Sequence, residues 1–340
     1  MSLTRREFGE FAIAAWPAGD LLQRATGVIS AAKPNSKWAG VQVGMNVPYN
    51  FGEGNYMSGG EILERCVQLN VSGVELRMQP VELFMGSPQA IAAAGAGRPT
   101  ARRAMTPEQQ AAQKAAAEDL RTWRLSAPMS KVADFKTLYD NGGVAIQIVK
   151  VDGIFGFTDD VLDYTFGLAK TLGARAISTE ITTAPQEAER VGQFKRLGAF
   201  AEKHKMMVGY HGHTKTTPQH WEEAFAAGKY NGANLDLGHF TRGNKTSPVP
   251  FLKQYHDRIT HVHVKDKTLD DKNVEFGKGD TPIKEALQTI RDNKWNIQAT
   301  IEFEIPGPAG PDGKPRAWTP EERMQEMAKC LEYCKRCLLG

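Results

Sequence analysis

Short apolar runs separated by helix-forming stretches recur eight times between about residues 40 and 335, and this alternation constrains the chain more than any other feature. The runs are GVQVGMN (40–46), GVELRM (73–78), VAIQIVKV (144–151), AISTEI (176–181), MVGYHGHT (207–214), ANLDLGHF (233–240), ITHVHVKD (259–266) and ATIEFEI (299–305). Each is bounded by turn or cap residues and is short enough for a buried strand. Several intervening stretches open on a hydroxyl–proline pair: Thr106-Pro107, Thr217-Pro218, Ser247-Pro248, Thr281-Pro282 and Thr319-Pro320. The hydroxyl accepts a bond from an unpaired helix N–H, and proline at the first helical position gives up an N–H that had no partner. Ser58 and Glu61 form a capping box ahead of a helix running to about Asn70. Strand–helix units repeated in this way build a parallel sheet, and eight of them in one domain predict an α/β fold closed as a single (β/α)8 TIM barrel over residues 37–340. No GxGxxG follows a strand and opens a helix, which argues against a dinucleotide fold.

Two stretches break the rhythm. Gln79 to about Pro128 reads as an irregular, Ala/Gly-rich segment (AIAAAGAGRPTARRA) leading into the helix former QQAAQKAAAEDL, so a helical insertion is expected after strand two. Residues 1–36 carry Arg5-Arg6, Phe8, the apolar FAIAAW and an Ala-rich exit at Ala31-Ala32. They read as a twin-arginine export signal or an N-terminal extension, although Gly19, Asp20, Gln23 and Arg24 interrupt the apolar region. Export to the periplasm is expected if the signal operates, and a cytoplasmic location otherwise. No stretch has the length and apolarity to span a bilayer.

The net charge of +3 over 340 residues, with no concentrated basic stripe, argues against nucleic acid as a partner. Cys330, Cys334 and Cys337 fall on one face of the last helix and no second Cys/His pair stands near them, so they and Cys66 read as core residues.

Chemistry concentrates at the ends of the last five strands, where a (β/α)8 barrel carries its active site. In NLDLGHF, Leu235 and Leu237 share one parity and Asp236 and Gly238 the other, with Gly238 read as the end of the strand. Glu180 closes strand four, and His211 and His213 share a face on strand five. Asp236 and His239 end strand six; His261 and His263, with Lys265 beyond, end strand seven; Glu302 and Glu304 share a face on strand eight. A carboxylate at the tip of a buried strand is costly without a partner. Glu, Asp, His and Glu delivered to one end of a sheet make a site for one divalent ion, with Mn²⁺, Mg²⁺ or Co²⁺ favoured and Zn²⁺ accommodated. Such an ion chelates sugar oxygens and polarises a carbonyl, and a nearby base then removes the adjacent proton to give an enediolate.

TEIT, YHGHT, LDLGH, HVKD and IEFE, in that order, resemble the xylose isomerase-like TIM-barrel superfamily across roughly residues 40 to 335. That group includes sugar and sugar-phosphate isomerases and epimerases, hydroxypyruvate isomerase and inosose dehydratase. The resemblance implies metal ligation by Glu180, Asp236 and His263, with Glu302 or Glu304 as the fourth ligand. It departs at strand five, where ketose 3-epimerases place a glutamate and this chain places His211. YHGHT is closer to the YHHH stretch of inosose dehydratase, and YHGHT with IEFE also resembles relatives acting on 3-keto-glycosides.

The expected activity is a metal-dependent sugar or keto-sugar isomerase or epimerase. A lyase or dehydratase eliminating a β-substituent is the alternative, and a non-catalytic sugar-binding barrel the third reading. His213 is the expected base, because it lies nearer the strand tip than His211, with Lys265 and His239 as rivals. His239, Asn46 and Lys278 are expected to contact a small carbohydrate substrate. No membrane partner is expected, and assembly into a homo-oligomer is left open.

Overall fold

The computed structural model describes residues 33–340 apart from 53, 56, 97–105 and 183, and the twin-arginine segment lies outside these described residues. The compact unit is Pro34–Gly340. Its eight parallel strands are β1 (Val41–Val47), β2 (Gly73–Arg77), β3 (Ala145–Lys150), β4 (Ala176–Glu180), β5 (Met207–His211), β6 (Asn231–Asp236), β7 (Ile259–Val264) and β8 (Gln298–Ile301). Each pairs with its sequence neighbours, and β8 pairs with β1, which closes the barrel. The two-residue strand Lys37–Trp38 pairs antiparallel with β1.

Twelve helices follow in chain order among the described residues: α1 (Gly59–Gln68), α2 (Met78–Met85), α3 (Pro88–Ala96), α4 (Pro107–Ser126), α5 (Met129–Gly142), α6 (Asp159–Thr171), α7 (Glu187–His204), α8 (Pro218–Ala227), α9 (Leu237–Asn244), α10 (Val249–Gln254), α11 (Ile283–Asp292) and α12 (Pro320–Leu339). The period of two along each strand divides the residues between two layers. Val74, Leu76, Ile177, Leu235, Val262 and Ala299 join the apolar core shared with the helices. The intervening Glu75, Ser178, Asn234, His261 and His263 hydrogen-bond or pair with one another inside the barrel. Register places Glu180 beside His211 and Asp236 beside His263 at the same end.

Caps set several of the boundaries. Ser58–Glu61, Thr106–Gln109 and Thr319–Glu322 form reciprocal capping boxes. Thr281 departs from the expected cap: its hydroxyl accepts a bond from Lys267 N at 3.0 Å, and α11 starts after Pro282 without a side-chain cap. Gly238 does not end β6. Asp236 ends the strand by capping α9, its side chain accepting from His239 N at 2.7 Å, so Gly238 is helical. A Cβ on Gly238 would come within 2.5 Å of Lys265 Cγ, which explains the need for glycine. The stretch from Gln79 is not irregular at its start either, because α2 and α3 occupy much of it. Ser87-Pro88 opens α3, with Ser87 Oγ accepting from Ala90 N at 3.3 Å.

The four cysteines are buried and unpaired, and Cys330, Cys334 and Cys337 line the inner face of α12. No helix among the described residues is long and apolar enough to cross a membrane.

Candidate metal centre and active site

Strand ends four to eight deliver their polar side chains to one place. His211 ends β5, Asp236 ends β6, His263 lies on β7 and Glu302 follows β8. One ligand-type atom from each lies within 4.8 Å of the others, and all four side chains are buried. That spread matches atoms around a single ion at metal–ligand distances of about 2.0–2.6 Å. His263 Nδ1 is 3.3 Å from Glu302 Oε2 and 3.9 Å from Asp236 Oδ2. His211 Nε2 is 3.4 Å from Asp236 Oδ2 and 4.0 Å from Glu302 Oε2. Neither His263 Nδ1 nor Glu302 Oε2 has an aligned hydrogen-bond partner, although both are buried. Two carboxylates and two imidazoles converging in this way, with Lys265 Nζ as the cation beside Glu302 Oε2, are a donor set that fits a divalent cation.

Glu180 stands across the His211 ring from this group. Its Oε1 is 3.2 Å from His211 Nδ1 and 2.5 Å from Lys150 Nζ, and its Oε2 is 2.7 Å from His213 Nε2. Glu180 is half-buried, and the His213 side chain is 59% exposed on the rim.

Lys265 is 2% exposed. Its Nζ lies 2.6 Å from Glu302 Oε2, 2.8 Å from Glu304 Oε2, 3.3 Å from Asp236 Oδ2 and 3.1 Å from His239 Nε2. Glu304 points away from the four-residue group: it accepts from Tyr49 Oη at 2.8 Å and from Asn273 Nδ2 at 3.3 Å. Of the two strand-eight glutamates, Glu302 is therefore the one that converges with Asp236 and His263. Asn46 Nδ2 donates to Glu302 Oε1 at 3.1 Å, so Asn46 meets a carboxylate of the site. His239 bonds Thr214 Oγ1 through Nδ1 at 3.1 Å. Lys278 is exposed on the loop after β7, where its backbone N bonds Glu275 O, and is not among the converging residues.

The charges explain one another. Burial, the largest influence, would raise the carboxyls of Asp236 and Glu302, but Lys265 together with the other neighbours, the His211 hydrogen bond for Asp236 and His263 for Glu302, holds both below the usual range. Burial would also raise Glu180, and His211 and Lys150 hold it down. His239 is pushed down to about 4 by burial, with Asp236 opposing, so it is neutral. Burial depresses His263, yet Glu75 and Glu302 lift it to about 10. The Lys265 ammonium opposes its own burial with three carboxylates and sits well above the ordinary lysine value.

Three contributors escape a reading confined to the last five strands. Glu75 on β2 is fully buried with Oε2 2.5 Å from His263 Nε2. Lys150, 1% exposed at the end of β3, holds Glu180. Tyr49, after β1, holds Glu304. The signal for the first two was present: Glu75 alternates with Val74 and Leu76, and Lys150 ends an apolar run.

Residues 165–334 match the family model described as xylose isomerase-like TIM barrel. The chain belongs to that family. Solved members of the fold superpose over most of the molecule. D-psicose 3-epimerase from Clostridium cellulolyticum H10, solved with D-tagatose, aligns at TM-score 0.59 and 11% identity, covering 88% of this chain and 100% of its own. The probable 3-DHS dehydratase of petrobactin synthesis from Bacillus anthracis aligns at 0.57 and 14%, covering 86% and 99%. A xylose isomerase domain protein from Planctomyces limnophilus aligns at 0.56 and 16%, covering 88% and 97%. At these identities the likeness is one of fold. No curated protein matches the sequence.

Proposed function

We propose that this family member is a divalent-metal-dependent sugar or keto-sugar isomerase or epimerase that removes a proton from the carbon beside a carbonyl. The observation carrying this reading is the convergence of the buried Asp236, His263 and Glu302, whose ligand-type atoms lie within 4.8 Å of one another. Those three residues would hold the ion, with His211 and Glu180 on its open side. A bound ion would supply Lewis acidity at the substrate carbonyl.

His213 is the proposed base. Glu180 accepts a hydrogen only from the protonated nitrogen of a neutral imidazole, so the 2.7 Å contact puts the proton on Nε2 and leaves Nδ1 as the basic nitrogen. Lys150 steadies Glu180 from beneath. Lys265, still charged, stands against Asp236 and Glu302 and would stabilise negative charge developing there. The segment carrying α2, α3 and α4 leaves the C-terminal end of β2, the face that bears the site, and we assign it as a cover over the substrate. The Glu82–Arg124 ion pair, Nε to Oε1 2.7 Å, fastens α4 to α2.

A β-elimination is favoured by one observation. Lys265 reaches Glu304 at the rim as well as the buried carboxylates, so an acid for a leaving hydroxyl or glycosidic oxygen stands beside the same cluster. Incubation with Mn²⁺ and a panel of ketoses and 3-keto-glycosides in D₂O, followed by NMR, tests both. Deuterium at the carbon beside the carbonyl in an isomeric product supports the first reading. A product lacking water or an aglycone supports elimination. Sugar binding without exchange or product leaves a non-catalytic barrel and refutes both.

A further inference from the structure

We infer that Glu75 is a positioning residue for His263, fixing from inside the barrel which imidazole nitrogen faces the candidate metal centre. The inference rests on the metal-centre reading above. Glu75 lies on β2 and His263 on β7, with β1 and β8 between them, so their contact crosses the barrel interior. Glu75, His261 and His263 are all fully buried. A carboxylate placed there needs strong partners. Glu75 Oε2 bonds His263 Nε2 at 2.5 Å, with His261 Nε2 nearby at 3.4 Å.

The acceptor character of a carboxylate decides the tautomer. Oε2 receives a hydrogen from His263 Nε2 in the charged ring and the neutral one alike, so the nitrogen that would give up its hydrogen to an ion is Nδ1, the atom facing Glu302 and Asp236. The reverse tautomer would set an imidazole lone pair against a buried anion at 2.5 Å. His261 does not compete for that oxygen: Thr260 Oγ1 donates to Ala233 O and accepts from His261 Nδ1 at 2.9 Å, and His261 Nε2 makes no aligned hydrogen bond. The amide of Asn234 must then be turned about, because its Nδ2 is the atom placed against His263 Nε2. Nδ2 lies 3.1 Å from His263 Nε2 while Oδ1 has no partner, and exchanging the two puts Oδ1 where it accepts from Nε2. Glu75 thus stands to His263 as the outer carboxylates of carboxylate–histidine–metal triads stand to their ligands.

The test uses the full chain as wild type, Glu75→Gln, Glu75→Leu and Asp236→Ala. Mn²⁺ affinity is measured by calorimetry, the Co²⁺ adduct by visible absorption, and metal-free melting by circular dichroism. Glu75→Gln is expected to fold and to bind Mn²⁺ about 10- to 100-fold more weakly, with an altered Co²⁺ spectrum. Glu75→Leu is expected to bind more weakly still. A folded Glu75→Gln within twofold of wild type, with an unchanged Co²⁺ spectrum, overturns the inference and reduces Glu75 to a core ion-pair partner. If both variants fail to fold, the ¹⁵N–¹H spectrum of the Zn²⁺-loaded wild type decides. A His263 ring protonated on Nε2 alone is expected, and protonation on Nδ1 overturns the inference. Wild type that binds no ion overturns the metal-centre reading itself. Binding lost in Asp236→Ala but intact in Glu75→Gln overturns only the role of Glu75.

Discussion

Asp236 performs two tasks with one carboxylate, and two substitutions separate them. Oδ1 caps α9 by accepting from His239 N at 2.7 Å, while Oδ2 faces His211, His263 and Lys265. Asp236→Ala removes both, and losing the cap costs about 1 kcal/mol. The Lys265 ammonium keeps Glu302 at 2.6 Å and Glu304 at 2.8 Å, so it is not stranded. The further loss should therefore stay below the about 3–5 kcal/mol seen when a buried pair is broken outright. A total near 2 kcal/mol corresponds to a fall in Tm of roughly 3 °C for a domain of this size. Asp236→Asn keeps a strong capping oxygen, so its Tm should stay nearer wild type. Both variants lose an anionic ligand, and Mn²⁺ affinity should fall by more than the about 10- to 100-fold typical of an outer partner. Calorimetric melting of the metal-free proteins with Mn²⁺ titration provides both readouts. An Asn variant that binds Mn²⁺ like wild type refutes ligation by Asp236, and equal melting of the Ala and Asn variants refutes the capping argument.

Other outcomes follow from the same geometry. His213→Asn should retain the ion and lose substrate deuterium exchange by about 10²-fold or more, the scale of a general base; exchange at the wild-type rate would pass the role to Lys265. Arg124→Met strands Glu82, whose side chain is 3% exposed, with only a 3.4 Å contact from Tyr164 Oη. It should cost about 3–5 kcal/mol or release α4 to proteolysis, and an unchanged melting and cleavage pattern would refute the anchoring role. Cys66, whose thiol burial raises to about 12, and Cys330, Cys334 and Cys337 should not react with a thiol reagent in the native protein. Rapid labelling of the last three would reopen a redox or metal role for that helix.

The fold was legible because its signals are local. Alternation of two along each strand and hydroxyl–proline caps between strands are written within a few residues of one another, and eight such units leave few alternatives. Boundaries shifted where a side chain works at longer range: Thr281 serves Lys267, and Asp236 ends its strand by capping the next helix. The stretch from Gln79 to Ala96 misled because its Ala/Gly composition masked the Ser87-Pro88 cap. Much of the candidate site was visible as ligand-type residues on successive strand ends. Glu302 and Glu304 share a parity, and only the three-dimensional contacts separate them, one facing His263 and the other Tyr49. Glu75 and Lys150 stayed hidden because a single charge in an apolar run gains meaning only from its partners on other strands, His263 across the barrel and Glu180 on the neighbouring strand.

The ion's position is the central claim, and anomalous diffraction from crystals grown with Mn²⁺ tests it most directly. A single strong peak is expected among Asp236, His263 and Glu302, at about 2.0–2.6 Å from an oxygen of each carboxylate and from the imidazole Nδ1. A well-ordered barrel with that place free of anomalous signal, or with the peak bound by other residues, would contradict the account.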